Sequence, residues 1–315
     1  MKSPIATLCG ALALLVPATA GADVIRVFLQ GGQSNADGRA NKTGLPAALA
    51  NPQADAPIYF HYQGGPTTGG IPGVLTTVRP GLSETGANNF GPEVTFARTL
   101  ADHVAGSQNR IALIKYANGG TNLHTQWKGD GTASSTADGS EYKVFQSVVT
   151  AGLAALAAAN PGSTIQLAGM TWVQGESDID GGATTSAAYG ANLTTLIADV
   201  RATLGAPNLP FFFSRISDNQ TNYSAGSATV QANYNTLRAG QATVAATVTG
   251  AYMLDTDPAQ FSADGLHYDT AGQQALGTAL ANAAISAGAV PEPSGVALVV
   301  IAGSVALGGR RRKRA

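Results

Sequence analysis

The chain has 315 residues, 44% of them hydrophobic and 12% charged, with a formal net charge of −1 and a single cysteine, Cys9. That length is ample for one large α/β domain. The lack of positive charge argues against nucleic acid or an anionic membrane as the main partner, and one cysteine leaves no disulfide framework or Cys-based zinc site.

Residues 1–22 carry one early lysine, the apolar run "ALALLVPATA" and small residues at "ATA" and "AGA", the pattern of a secretory signal peptide. Cys9 leaves with it. Five segments follow that predict buried strands: "VIRVFLQ" (24–30), "RIALIKYA" (110–117), "TIQLAGMTWV" (164–173), "LPFFFSRI" (209–216) and "GAYMLD" (250–255). They are near-continuous apolar runs, as expected for parallel strands covered on both faces. Helical periodicity lies between them. Val94, Ala97, Leu100, Ala101 and Val104 form one face, Val144, Phe145, Val148 and "AGLAALAAA" a second, and Tyr189, Leu193, Leu196, Ile197 and Val200 a third. A fourth helix follows Asp269, where Thr270 and Gln273 suggest a capping box. Strands alternating with helices predict a three-layer, doubly wound α/β domain around five mainly parallel strands, spanning 23–289.

Two long Gly/Ser/Thr-rich loops, 63–73 and 129–140, are either linkers or binding loops. The chain closes on "VPEPSGVALVVIAGSVALGGRRRKRA" (290–315): a Pro-Glu-Pro turn, an apolar run shorter than the ~20 residues a span needs, and five basic residues that hold their end in the cytoplasm. This order resembles a PEP-CTERM sorting signal, which implies an exosortase-type processing partner and only transient membrane association. A plain membrane anchor is the alternative. Without Lys2 and the five terminal basic residues, and without Glu292, the middle of the chain keeps 12 basic and 18 acidic residues, a net of about −6.

The chemistry-bearing residues sit just past the strand ends. Ser34 follows strand one in "GGQSN". Gly119 and Gly120 follow strand two in "YANGGTNLHTQW", Gln174 and Glu176 follow strand three in "WVQGESD", and Asp264 and His267 follow strand five in "SADGLHY". In open α/β sheets ligands bind at the carboxyl ends of the strands. Alone, each has an ordinary use: Ser34 and Asn35 as helix caps, the two glycines as a turn, Asp264 and His267 as a loop hydrogen bond. Together they form a serine whose proton an imidazole can take, an acid to orient that imidazole, and donors for an oxyanion. The Ser34 N–H, a glycine N–H from Gly119 or Gly120, and the Gln174 amide are the candidate donors. For metal, "DIDGG" (178–182) and "DTD" (255–257) lack an EF-hand spacing, and His61, His103 and His124 show no ligand spacing. No metal or cofactor is expected, and His124 is either structural or a substrate contact.

The stretches "GQSN" (32–35), "FGPE" (90–93), "NGGT" (118–121) with Trp127 behind it, "WVQGESD" (172–178) and "DGLHY" (264–268) resemble the SGNH hydrolase superfamily, in the order found in carbohydrate esterase family six and its sialate O-acetylesterase-like domains. The resemblance spans 24 to about 285 and implies a flavodoxin-like fold and a carbohydrate O-acetylesterase acting on an acetylated glycan or exopolysaccharide. It also implies Ser34 as nucleophile, His267 as base, Gly120, Gln174 and the Ser34 amide as oxyanion donors, and substrate contacts from Asn35 and Trp127. The triad acid stays open between Asp264 and Glu176, with Asp264 nearer in sequence. Glu93 is expected in the first turn of its helix, and Glu176 and Asp178 as braces. A lipid or aryl esterase, or a non-catalytic carbohydrate-binding surface protein, are the competing readings.

Overall fold

Val27, Phe28 and Leu29 lie side by side in strand β1 (Val24–Gly32), and all three are buried. Successive strand side chains point to opposite faces, and here both faces are covered. Val27 and Leu29 join a core that holds Trp127, Trp172, Tyr189 and Leu237, while Phe28 joins another with Phe96, Leu113 and Leu280. This two-sided burial is the physical reason for the unbroken apolar run. The computed structural model describes residues 22–61 and 73–292. The proposed signal peptide through residue 21, nearly all of the 63–73 loop, and the tail beyond residue 292 lie outside these residues.

After β1 come the short helix α1 (Ser34–Asp37), strand β2 (Ala40–Asn41), α2 (Ala47–Ala50), β3 (Gln53–His61), β4 (Val74–Val78) and β5 (Asn89–Phe90). Then follow α3 (Glu93–Val104), β6 (Asn109–Tyr116), α4 (Ser140–Ala159), β7 (Thr164–Val173), α5 (Glu176–Asp180) and α6 (Ala183–Thr203). The chain continues through β8 (Phe211–Ser214), α7 (Thr221–Ser224), α8 (Ala228–Thr247), β9 (Ala251–Leu254) and α9 (Thr270–Ser286). The main sheet has seven strands in the order β4-β3-β6-β1-β7-β8-β9. All neighbours are parallel except β3 and β4. Helices α4, α6 and α8 supply one outer layer and α3 and α9 the other.

The expected five strands are all present, and the sheet is wider by two. Strand β3 carries Pro57 and two solvent-facing positions, Ala54 and Asp55, and its pairing with β4 slips between Gln53 and Pro57. Proline and a bulge belong to the margin of a sheet, and they break the pattern that marks a strand in sequence. Helix α8 was equally hidden, because its buried face carries Asn233 and Gln241 beside Tyr234, Leu237 and Val244. By length and composition α4 could cross a membrane, yet its Tyr142, Phe145, Val149 and Leu156 are packed in the core. The start of α9 corrects the expected capping box. Asp269 is the N-cap and accepts from the Gly272 N–H at 2.7 Å. Thr270 instead donates to the Asn41 carbonyl, and Gln273 to the Asn35 carbonyl.

Candidate active site

The two glycines that end β1 bring the chain tightly against β7. Gly32 has φ +136°, where only glycine is comfortable, and a Cβ there would overlap the Val173 carbonyl. That carbonyl accepts the Gln33 N–H at 3.1 Å. Helix α1 begins at Ser34 itself, with Gln33 at the cap position and no side-chain cap bond. The Ser34 hydroxyl is therefore not a helix cap. Its Oγ lies 3.1 Å from His267 Nε2.

His267 sits in the loop between β9 and α9. The loop is pinched by a bridge between Phe261 and Tyr268, whose rings stack at 4.4 Å. Asp264 shapes it from within. Its Oδ1 accepts from the Ser262 hydroxyl at 2.7 Å and from the Leu266 and His267 N–H groups at 2.9 Å each, and its Oδ2 lies 2.6 Å from His267 Nδ1. Burial pushes the Asp264 carboxyl up, but the Ser262 hydroxyl, the two N–H groups and the His267 ring outweigh it and hold the group well below the ordinary carboxylate range. An ionised Asp264 fixes His267 with Nδ1 protonated and Nε2 free to accept from Ser34. At the base of this loop, Arg215 bridges Asp255 and Asp257, and Arg238 joins Asp257 to Asp218.

Glu176 lies elsewhere. It is 3% exposed, and its Oε1 accepts from Asn35 Nδ2 at 2.6 Å and Gln220 Nε2 at 3.0 Å. It makes no hydrogen bond to His267, so the geometry sets Asp264 rather than Glu176 against the imidazole.

The glycine loop after β6 is held by a feature with no mark in the sequence pattern. The Gly119 N–H donates to Glu84 Oε1 at 2.9 Å, and Glu84 in turn pairs with Arg39. A side chain at Gly119 would overlap both partners, which explains the glycine there. Because its N–H is engaged by Glu84, Gly119 is corrected as an oxyanion donor. Gly120, with φ +72°, is the next residue. Among the described residues neither its N–H nor that of Ser34 has a hydrogen-bond acceptor.

Gln174 is also corrected. It is fully buried, and its Nε2 faces Asp178 Oδ2 at 2.7 Å and both Gln33 Oε1 and the Thr121 carbonyl at 3.1 Å. Three acceptors around one NH₂ settle which end of the amide is nitrogen and leave no N–H for a ligand. Gln174 ties the three loops after β1, β6 and β7 together. Asp178 does the same from below, accepting the Leu123 and His124 N–H groups; burial raises its carboxyl above the usual range against these bonds. The two expected substrate contacts point inward as well. Trp127 is fully buried, donates to Thr121 Oγ1 at 2.8 Å and packs edge-on against Trp172. Asn35 is fully buried and bonded to Glu176, the Leu266 carbonyl and the Tyr268 N–H.

Beneath α1, Lys115 donates to the Asp37 and Leu82 carbonyls and to Glu93 Oε2 at 2.8 Å, all buried. Glu93 opens α3 as expected, and its other oxygen accepts the Gly91 N–H. Asp37, fully buried, accepts from Ser83, Glu84 and Arg39. Desolvation pushes its carboxyl up to about 6 against the pull of Lys115 and Arg39. His124 is partly buried beside Asn192, His103 faces the Pro291 carbonyl, and His61 lies against Tyr116. One carboxylate group with metal-like spacing does occur, away from the expected acidic stretches: Asp130, Asp138 and Asp199 place oxygens within 4.8 Å of one another. They organise the 129–140 loop, Asp138 accepting from Ser135 and Gln146 and Asp199 from Gly131. An open groove of about 600 Å³ between α3 and α9 contains none of the residues around Ser34.

A doubly wound α/β domain with a serine, an imidazole and a carboxylate in one hydrogen-bonded line at the strand ends is the architecture of a hydrolase. Residues 24–286 match the family described as carbohydrate esterase, sialic acid-specific acetylesterase, and the chain belongs to that family. No curated protein matches it. Its fold is similar to a solved protein from Arabidopsis thaliana (TM-score 0.61, 20% identity, covering 84% of this chain and 98% of that one) and to NanS (0.56, 14%, 84% and 98%). It is also similar to a carbohydrate acetylesterase from Xanthomonas citri (0.56, 18%), where 82% of this chain spans 55% of the other.

Proposed function

We propose that the protein is an exported serine esterase that removes O-acetyl groups from carbohydrate. The observation that carries this reading is the unbroken line from Ser34 Oγ through the His267 ring to Asp264 Oδ2. Ser34 Oγ attacks the acetyl carbonyl carbon while His267 Nε2 takes its proton. The carbonyl oxygen, now negative, is met by the Ser34 and Gly120 N–H groups; each such donor is worth roughly 3 kcal/mol in acyl transfer. Collapse breaks the bond to the sugar oxygen, which receives the proton from His267 and leaves as the alcohol. Water then attacks the acetyl-Ser34 carbonyl with His267 as base, releasing acetate and restoring Ser34. Asp264 stays ionised and stabilises the imidazolium at each stage. The residues present need no metal or cofactor for these steps.

Family membership supports an acetylated carbohydrate as substrate, and the two terminal segments of the sequence favour an extracellular polysaccharide. In this reading residues 1–22 direct export, and 290–315 hold the chain at the membrane until a sorting enzyme cuts it. The test is acetate release by residues 23–290 from a panel of O-acetylated glycans, beside short- and long-chain acyl esters. Preference for long acyl chains, or no hydrolysis of any ester, would reject the reading.

A further inference from the structure

His267 lies between two peptide groups that distant side chains hold. The Leu266 carbonyl accepts from Asn35 Nδ2 at 3.2 Å and from Gln220 Nε2 at 3.0 Å, and the Tyr268 N–H donates to Asn35 Oδ1 at 3.1 Å. The same two amide nitrogens also donate to Glu176 Oε1. Two amides thus bridge the same two acceptors and close a ring. Asn35 and Gln220 are fully buried and Glu176 nearly so. A carboxylate acceptor strengthens such bonds and polarises the amides that reach on to the carbonyl.

The bonds of Asp264 are all made within residues 262–267. They set the shape of the loop and the tilt of the ring, and leave its distance from Ser34 open. That distance is set by ties from outside: Asn35 beside the serine, and the 217–222 segment, which adds an Asn222 N–H on the Gly265 carbonyl. We propose that Gln220 is a positioning residue for the reaction: with Asn35 it clamps the Leu266 carbonyl onto the buried Glu176 carboxylate and so holds His267 Nε2 against Ser34 Oγ. This rests on the esterase reading above. Gln220 also has a local use, since its Oε1 accepts the Ser217 N–H at 3.1 Å and closes its own turn. The two uses belong to opposite ends of the amide and are separable.

Gln220→Glu keeps the acceptor for Ser217, loses the donor and sets a carboxylate oxygen beside Glu176. Gln220→Met removes both ends at similar length. The clamp predicts that Gln220→Glu lowers kcat on a small acetyl ester by about 10- to 100-fold, the scale of a roughly 1 Å misplacement, with KM nearly unchanged. Amide hydrogen exchange should quicken across residues 265–268 while β1 and β7 exchange as in the wild type, a pattern that also shows the variant is folded. Wild-type kcat and exchange in Gln220→Glu, with loss confined to Gln220→Met, would assign Gln220 to its turn and overturn the proposal. Exchange is read without turnover, so the two readings fail separately. Quickened exchange in a protein whose wild type hydrolyses no acetyl ester would sustain the clamp and sink the esterase. Unchanged exchange and kcat in an active esterase would do the reverse.

Discussion

The Ser34 hydroxyl and His267 Nε2 meet at 3.1 Å across 233 positions of chain. Ser34 is placed by a glycine-tight turn out of the central strand, and His267 by a loop that Asp264 folds from inside. Because the two come from separate elements, each contact that docks one against the other becomes a lever on activity.

Replacing Ser34 by alanine removes the nucleophile and leaves the fold, since its side chain makes no cap bond. Turnover of a small acetyl ester should fall by about 10³-fold or more, with an unchanged melting temperature. Activity above a tenth of wild type would reject Ser34 as nucleophile.

Asp264→Asn and Glu176→Gln separate the two acids. Asparagine keeps acceptors for the loop N–H groups but loses the charge facing His267 Nδ1, so kcat should drop about 10²- to 10⁴-fold with little loss of stability. A glutamine at 176 still offers an oxygen to Asn35 and Gln220, so its kcat should stay within about tenfold of wild type. The opposite ranking in folded protein would move the triad role to Glu176.

Glu84 is expected to govern the glycine loop. Glu84→Gln weakens its hold on the Gly119 N–H and on Arg39, and the neighbouring Gly120 N–H should lose its aim. A kcat decrease of about tenfold with KM unchanged is the anticipated result. Steady-state kinetics showing only a KM rise would assign Glu84 to substrate binding instead.

Two carboxyls predict opposite pH trends in stability. The folded-state pKa of Asp37 is raised to about 6, so the folded protein binds the proton more tightly. Its contribution is full below the ordinary carboxylate range and is lost as pH rises through about 6, by about 2 kcal/mol between pH 4 and pH 6. Asp264 is depressed; its contribution is full above the usual carboxylate range and is lost only in stronger acid. Denaturation of wild type and Asp37→Asn from pH 4 to 7 should therefore show a difference that shrinks with pH and then levels. A pH-independent difference would show that Asp37 is ionised throughout.

The terminal segment is tested by mass. If residues 290–315 are a sorting signal, protein recovered from the cell surface should end near Pro291 to Pro293 and lack "RRRKRA". Deleting 310–314 should impair retention at the membrane before processing, because the basic cluster resists translocation. An intact C-terminus on surface-located protein would favour a plain anchor.

The β/α alternation was legible because parallel strands buried on both faces need continuous apolar runs and their helices need apolar stripes. The meeting of Ser34, Asp264 and His267 was legible because strand ends are where such folds bring chemistry together. Those are local patterns, repeated along a few residues. Strands β3 and β4 and helix α8 broke them with Pro57, Asn233 and Gln241, residues whose neighbours come from other parts of the chain. The inward turn of Trp127, Asn35 and Gln174, the engagement of Gly119 by Glu84, and the role of Gln220 were decided only in the tertiary structure. A buried polar group must find its partner wherever the fold supplies one. Several of those partners lie 35 to 233 positions away, as in Gly119 with Glu84 and Asn35 with Tyr268, a distance at which spacing in sequence carries no information.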